Sequence, residues 1–186
     1  LSVSSLHPHA QAAAMATCML LDDKLPVSTA AYFLGMQQAK INGRMHWVKG
    51  ACDYLFDVAH NAQSVLYLAE KLKEQNCKNR YSRVHAVFSA LADKDLRAMI
   101  SVLTDVDRDW YPATLSVARA ASCAQLLEAF ACEKVRGFAC YISPQHAFNA
   151  AQDNATKDDL IVIYGSFFTV ESVMRFVNIA GEIIEV

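Results

Sequence analysis

No run of this sequence approaches the ~20 consecutive apolar residues that a membrane span requires, and its first residues lack the basic stretch and apolar core of a secretory signal. A cytoplasmic protein is the default expectation. Charge is scarce, with 19% Asp, Glu, Lys and Arg and a formal net charge of −2, and there is no basic stripe or interleaving of basic and aromatic residues. Nothing therefore recommends nucleic acid or a membrane as a partner. The six cysteines, Cys18, Cys52, Cys77, Cys123, Cys132 and Cys140, form no C-x-x-C pair and mostly sit in apolar runs, so buried, reduced thiols are expected. No G-x-G-x-x-G opens a β-α unit, and neither G-x-x-x-x-G-K-[ST] nor G-x-S-x-G occurs. These absences disfavour a complete dinucleotide enzyme, kinase or serine hydrolase. The histidines have no metal-ligand spacing beyond His7-Pro8-His9, which is too little for a metal site.

What is present is a chain of 186 residues, 54% of them hydrophobic, enough for one domain of ordinary size with a helical appendage and too apolar for disorder. Ala12, Met15, Ala16 and Met19 recur at helical spacing, and Ser28 opens a second helical pattern with Tyr32, Gly35, Met36 and Ala39 on one face. The pattern breaks at residues 41–43, and beyond it strands alternate with amphipathic helices. A boundary is placed there, with residues 1–41 as terminal helices of one domain and 42–186 as a second. Strands are expected at residues 45–49, 52–58, 84–88, around Trp110 and Tyr111, and at 160–164. Asn61, Asp93 or Asp95, Ser122 and Ser143-Pro144 are helix starts. The alternation implies an α/β fold, a Rossmann-like open and mostly parallel sheet with helices on both faces.

In such sheets ligands bind beyond the carboxyl ends of the strands. Asp57-Val58-Ala59-His60-Asn61 places a carboxylate at a strand end and a histidine at a helix mouth whose N–H groups favour anions. The plainer alternative makes Asp57 and Asn61 caps and His60 a packed interface residue. Asp93-Lys94-Asp95 is either a second wall of the cleft or a solvated helix start. Gly165-Ser166 can offer N–H groups and a hydroxyl to a carboxylate, or Ser166 is an N-cap only. Arg44 carries a guanidinium suited to phosphate, as many exposed arginines do.

Taken in order, Gly43-Arg44, Phe56-Asp57-Val58-Ala59-His60-Asn61, Leu91-Ala92-Asp93-Lys94-Asp95, Asp109-Trp110-Tyr111 and Gly165-Ser166-Phe167-Phe168-Thr169-Val170 resemble the bifunctional dihydrofolate synthase/folylpolyglutamate synthases of the Mur ligase superfamily. The resemblance covers essentially the whole chain and implies that it is a C-terminal portion. Residues 1–41 would be the last helices of an ATPase domain otherwise missing, and the rest the C-terminal Rossmann-like domain. It implies an ATP-dependent ligase that activates a carboxylate of dihydropteroate or folate as an acyl phosphate and joins it to L-glutamate. Mg2+ ligands would lie in the missing domain, so this chain alone would not turn over.

Carried over residue by residue, Arg44 and Asp57 match positions that reach ATP, His60 the motif histidine near the reaction centre, and Ser166 the glutamate-binding wall, with Asp93 and Asp95 flanking the cleft. His9 stands where a nucleotide-contacting asparagine is expected. Asn42 and Ala62 replace prolines of the pattern, and Ser89-Ala90-Leu91 replaces Gly-Met-Leu. Two other readings are another Mur-type amino-acid ligase, and a stand-alone Rossmann-like module that binds a small molecule without chemistry. The parent is expected to be a monomer. The two amino-terminal helices, their stripes deprived of a domain to cover them, are expected to pack against a neighbouring copy or to rearrange onto the sheet.

Overall fold

A computed structural model describes residues 7–75, 77–103, 108–135 and 139–177. It divides into two compact units, residues 1–44 and 45–186.

In the first unit, helix α1 (Pro8–Leu21) begins with proline at its first turn, and the His7 ring accepts the His9 N–H at 3.1 Å. Helix α2 (Thr29–Gln38) is capped by Ser28, whose hydroxyl accepts from the Ala31 N–H. Neither helix contains a buried residue, and Met19, Leu20, Phe33 and Leu34 are all more than half exposed.

The second unit is built on one sheet of β1 (His46–Lys49), β2 (Asp53–Asp57), β3 (Val84–Phe88), β4 (Arg108–Pro112) and β5 (Leu160–Tyr164), in the order β1-β2-β5-β3-β4. Strand β1 runs antiparallel to β2, and every other pairing is parallel. The hairpin between β1 and β2 turns at Gly50, where a side chain would run into the Tyr54 ring. The fold class expected from the alternation is the one found.

The crossovers place α3 (Ala62–Glu74), the single turn α4 (Cys77–Arg80), α5 (Leu96–Ser101) and α6 (Cys123–Cys132) between successive strands, and α7 (Pro144–Asn154) before β5. Helix α8 (Phe167–Phe176) follows it. Strand β5 alternates its side chains between two cores. Leu160, Val162 and Tyr164 pack with Leu68, Met99, Leu126 and Phe130 of α3, α5 and α6. Ile161 and Ile163 pack with Phe148 and Val173 of α7 and α8. All five β5 residues are buried, as a central strand covered on both faces must be.

One expectation about the cysteines is corrected. Cys123, the first residue of α6, and Cys140 are joined in a disulfide with their Cα atoms 5.7 Å apart; of the four cysteines outside it, Cys52 and Cys77 are buried as expected, whereas Cys132 is exposed and Cys18 only partly buried. The Thr114 N–H bonds the Tyr141 carbonyl, and Tyr141 bonds back to Pro112, which draws the Cys140 segment to the end of β4 beside the start of α6. The two cysteines lie 17 positions apart in the sequence, and that spacing alone carried no sign of the pairing. No helix among the described residues is long and apolar enough to cross a membrane.

Candidate functional site

Parallel pairing sets the carboxyl ends of β2, β5 and β3 side by side, with Asp57 opposite Tyr164 and Tyr164 opposite Phe88. The loops that leave these ends are joined by backbone bonds. Gly165 N–H donates to the Ala59 carbonyl at 2.9 Å, and Ser89 N–H to the Tyr164 carbonyl at 3.4 Å. Gly165 sits at φ +109°, a conformation that L side chains rarely adopt, and a Cβ there would collide with the Ser89 carbonyl oxygen and lie 2.8 Å from the Phe88 ring. The close approach of the β5 and β3 loops therefore depends on glycine.

Asp57 is buried, with one carboxylate oxygen accepting the Ala59 N–H at 2.8 Å and the other the Met45 N–H at 2.9 Å. His60 follows the strand end, half-buried. Its Nδ1 lies 2.9 Å from the Val58 carbonyl oxygen, and its ring is 5.5 Å from that of Phe167 at an interplanar angle of 44°. Asn61 caps α3 in a reciprocal box with Ser64. The Ser64 hydroxyl accepts the N–H groups of both His60 and Asn61, at 3.1 and 3.2 Å, and so fixes the backbone that carries the imidazole.

Ser166 is the N-cap of α8 and is buried. Its hydroxyl oxygen accepts the Thr169 N–H at 3.1 Å and lies 3.2 Å from Thr169 Oγ1, which in turn donates to the Ser89 carbonyl at 3.0 Å. The three residues thus form a closed polar chain between the β3 and β5 loops. Asp95 caps α5 by accepting the Ala98 N–H at 3.0 Å. Asp93 pairs with Arg119 at 2.7 Å on the exposed side of the same loop. Burial opposes ionisation of the Asp93 carboxyl, but the Arg119 guanidinium outweighs it and holds the group below its ordinary range.

The structure therefore gathers Asp57, His60 and Ser166 along one rim, with Asp93 and Asp95 in the loop after β3. His9 and Arg44, both exposed, belong to the first unit. Sequence reasoning missed Ser64, whose spacing of three from Asn61 is the signal of a capping box. It also missed the roles of Thr169 and Ser89, which depend on two loops far apart in sequence. Among the described residues no group of three or more His, Cys, Asp or Glu is arranged to hold a metal. The described residues thus offer no donor set that fits a magnesium ion.

A family model described as Mur ligase, glutamate ligase domain, matches residues 43–167. Among curated proteins, the dihydrofolate synthase/folylpolyglutamate synthase of Escherichia coli (strain K12) is 34% identical over 166 residues, which is 89% of this chain and 37% of that protein. The protein of the same name from Buchnera aphidicola subsp. Schizaphis graminum is 30% identical over 161 residues, 87% of this chain and 37% of its own length. The chain thus spans little more than a third of these relatives. Among solved structures, E. coli FolC in complex with DHPP and ADP superposes with a TM-score of 0.80 at 32% identity, covering 95% of this chain and 40% of that one. A bifunctional folylpolyglutamate synthase/dihydrofolate synthase with Mn, AMPPNP and L-glutamate bound gives 0.74 at 32% identity, covering 92% and 40%.

Proposed function

The chain belongs to the Mur ligase family through its glutamate ligase domain, and from that premise we propose that it forms the C-terminal wall of the active site of a dihydrofolate synthase/folylpolyglutamate synthase. The reaction is an ATP-dependent amide ligation. The carboxylate of dihydropteroate or of a folate is activated as an acyl phosphate, and the amine of L-glutamate displaces phosphate.

The observation that carries this reading is the meeting of the His60 and Gly165 loops at one strand edge, in a chain that resembles these ligases over most of its length. His60 accepts a proton from the incoming amine or orients it. Asp57 holds the loop that presents His60, through its bonds to Ala59 and Met45. The α8 amino terminus, capped by Ser166, receives a carboxylate of glutamate through backbone N–H groups, since the Ser166 hydroxyl is already engaged with Thr169. Arg44 supplies positive charge to the phosphates of ATP, with His9 as a nucleotide contact of the first unit and Asp93 and Asp95 on the flank of the cleft. ATP and magnesium are held mainly by the portion of the relatives that this chain does not span, and by itself the chain is inactive.

The test is ADP release in the presence of ATP and glutamate, with dihydropteroate and tetrahydrofolate as separate acceptors. It is run on the chain alone and on the chain fused to the remaining N-terminal portion of the E. coli relative. Release by the fusion with both acceptors, abolished by His60→Ala, supports the bifunctional ligase. Release with neither acceptor overturns it in favour of another Mur-type ligase or a binding module.

A further inference from the structure

The imidazole of His60 is constrained from two sides. A carbonyl oxygen has lone pairs and no proton, so the 2.9 Å approach of Nδ1 to the Val58 carbonyl is a hydrogen bond only if Nδ1 carries the proton. In the neutral ring Nε2 then bears a lone pair. Among the described residues no group bonds Nε2, and Nε2 is not one of the buried atoms left without a partner, so that lone pair is open to solvent. The second constraint is Phe167, at the start of the α8 helix, whose ring packs against the imidazole. Phe167 is 54% exposed. An exposed phenylalanine that packs on a half-buried histidine adds little to the core, and its contact falls on the ring whose orientation matters.

We propose that Phe167 is a positioning residue that, together with the Val58 carbonyl, locks His60 as its Nδ1–H tautomer and keeps Nε2 as a preformed acceptor for an ammonium or amine. The inference rests on the ligase reading for its consequence, though not for its test. In that setting one N–H proton of the glutamate ammonium passes to Nε2, giving an imidazolium. The freed nitrogen lone pair forms the C–N bond as the acyl C–O bond to phosphate breaks; phosphate leaves with the electron pair of that C–O bond and takes the second N–H proton, which leaves a neutral amide. The β2 and β5 loops would thus both be needed for the base: one carries it and the other holds its plane.

The tautomer is read directly from long-range 1H–15N correlations of the imidazoles in the 186-residue chain at about pH 8.5, roughly two pH units above the ordinary imidazole value. His60→Gln identifies the His60 signals. The expected spectrum has His60 Nδ1 in the protonated range and Nε2 in the bare range. Phe167→Ala should move both nitrogens toward the averaged position of an unconstrained ring, Phe167→Tyr should restore the pattern, and Phe168→Ala should leave it unchanged. An Nε2–H tautomer in the unaltered chain overturns the inference, as does a Phe167→Ala spectrum that keeps the locked pattern. If Phe167→Ala does not fold, Phe167→Leu, which keeps an apolar side chain but no ring, takes its place under the same criteria.

In the fused ligase, Phe167→Ala should lower kcat by about tenfold with KM for ATP unchanged. An equal rise in KM and no change in kcat overturns the positioning role. Loss of ADP release from the unaltered fusion alongside the expected spectrum would sink the ligase reading and leave the tautomer standing, so the two failures are distinguishable.

Discussion

The Asp57 carboxylate reaches back from the end of β2 to the residue that precedes β1, accepting the Met45 N–H at 2.9 Å. Met45 is held at φ +42°, in the left-handed region that non-glycine residues seldom occupy. The motif aspartate therefore ties both ends of the hairpin to the mouth of the site, and its first duty is to the backbone.

Removing that carboxylate should cost stability whether or not catalysis is measured. Asp57→Ala withdraws the acceptor from the Met45 and Ala59 N–H groups and is expected to destabilise the chain by about 2–4 kcal/mol. Asp57→Asn keeps one oxygen acceptor and should lose roughly half as much. Urea denaturation decides the matter, and an unmoved midpoint for Asp57→Ala would show that these bonds contribute little.

Gly165 should tolerate no side chain. Gly165→Ala combines a positive φ with a collision against the Ser89 carbonyl and the Phe88 ring, and a loss of at least about 2 kcal/mol is expected. A thermal melt within a degree of the unaltered protein would mean that the β3 and β5 loops separate easily.

Thiol counting tests the disulfide. Unfolded without reductant, the chain should show the four free thiols of Cys18, Cys52, Cys77 and Cys132, and after reduction all six. Cys123→Ser should lower stability by about 3 kcal/mol, the loop-closure value for a cross-link of this length. In the native state Cys52 should be the slow thiol in alkylation, because burial, with the nearby Asp159 and Asp53 charges, pushes its pKa up to about 11.

Acid sensitivity should trace in part to Asp159. Burial works to raise its pKa, but hydrogen bonds from the Thr156 N–H and hydroxyl, at 2.6 and 2.9 Å, and the neighbouring His85 ring hold the carboxyl below its usual range. A carboxylate depressed in the folded state stabilises the protein above its unfolded pKa of ~3.9, and that contribution is lost as pH falls through the lower folded value. The melting-temperature gap between the unaltered protein and Asp159→Asn should be constant near neutrality and shrink below about pH 4. A gap independent of pH would exclude this linkage.

The parts of the fold that were legible in the sequence are those set by local periodicity. Leu160 to Tyr164 read as a central strand because the run is almost wholly apolar, and Asn61, Ser122 and Ser143 read as helix starts because each is a short polar acceptor placed just before an apolar stripe; between Asp93 and Asp95, and between cap and ligand contact for Ser166, the sequence left the choice open, and Asp95 and Ser166 prove to be caps. The weakly apolar segment before Gly50 proved to be the antiparallel edge strand β1. What stayed hidden depends on distance in sequence. Thr169 meets Ser89 across 80 positions and Phe167 meets His60 across the whole β3–β5 excursion. The Cys123–Cys140 pairing needs the end of β4 to bring its two ends together. Of the candidate site, the motif spacing pointed to the loops after β2, β3 and β5, while the contacts of His60 with the Val58 carbonyl and the Phe167 ring and the engaged state of the Ser166 hydroxyl required coordinates.

Among the described strands β5 is the last to be made, and it joins the two halves of the sheet, with β2 on one side and β3 on the other. On a ribosome, the described strands made before residue 160 form two separate pairs, β1 with β2 and β3 with β4, each marginal in water. Both carry an open apolar edge waiting for the same five residues. Synthesis of the domain therefore passes through an interval in which these edges are open to aggregation, and it lasts at least until Leu160–Tyr164 leave the exit tunnel. A chaperone that shields the edges of β2 and β3 would matter most during that interval.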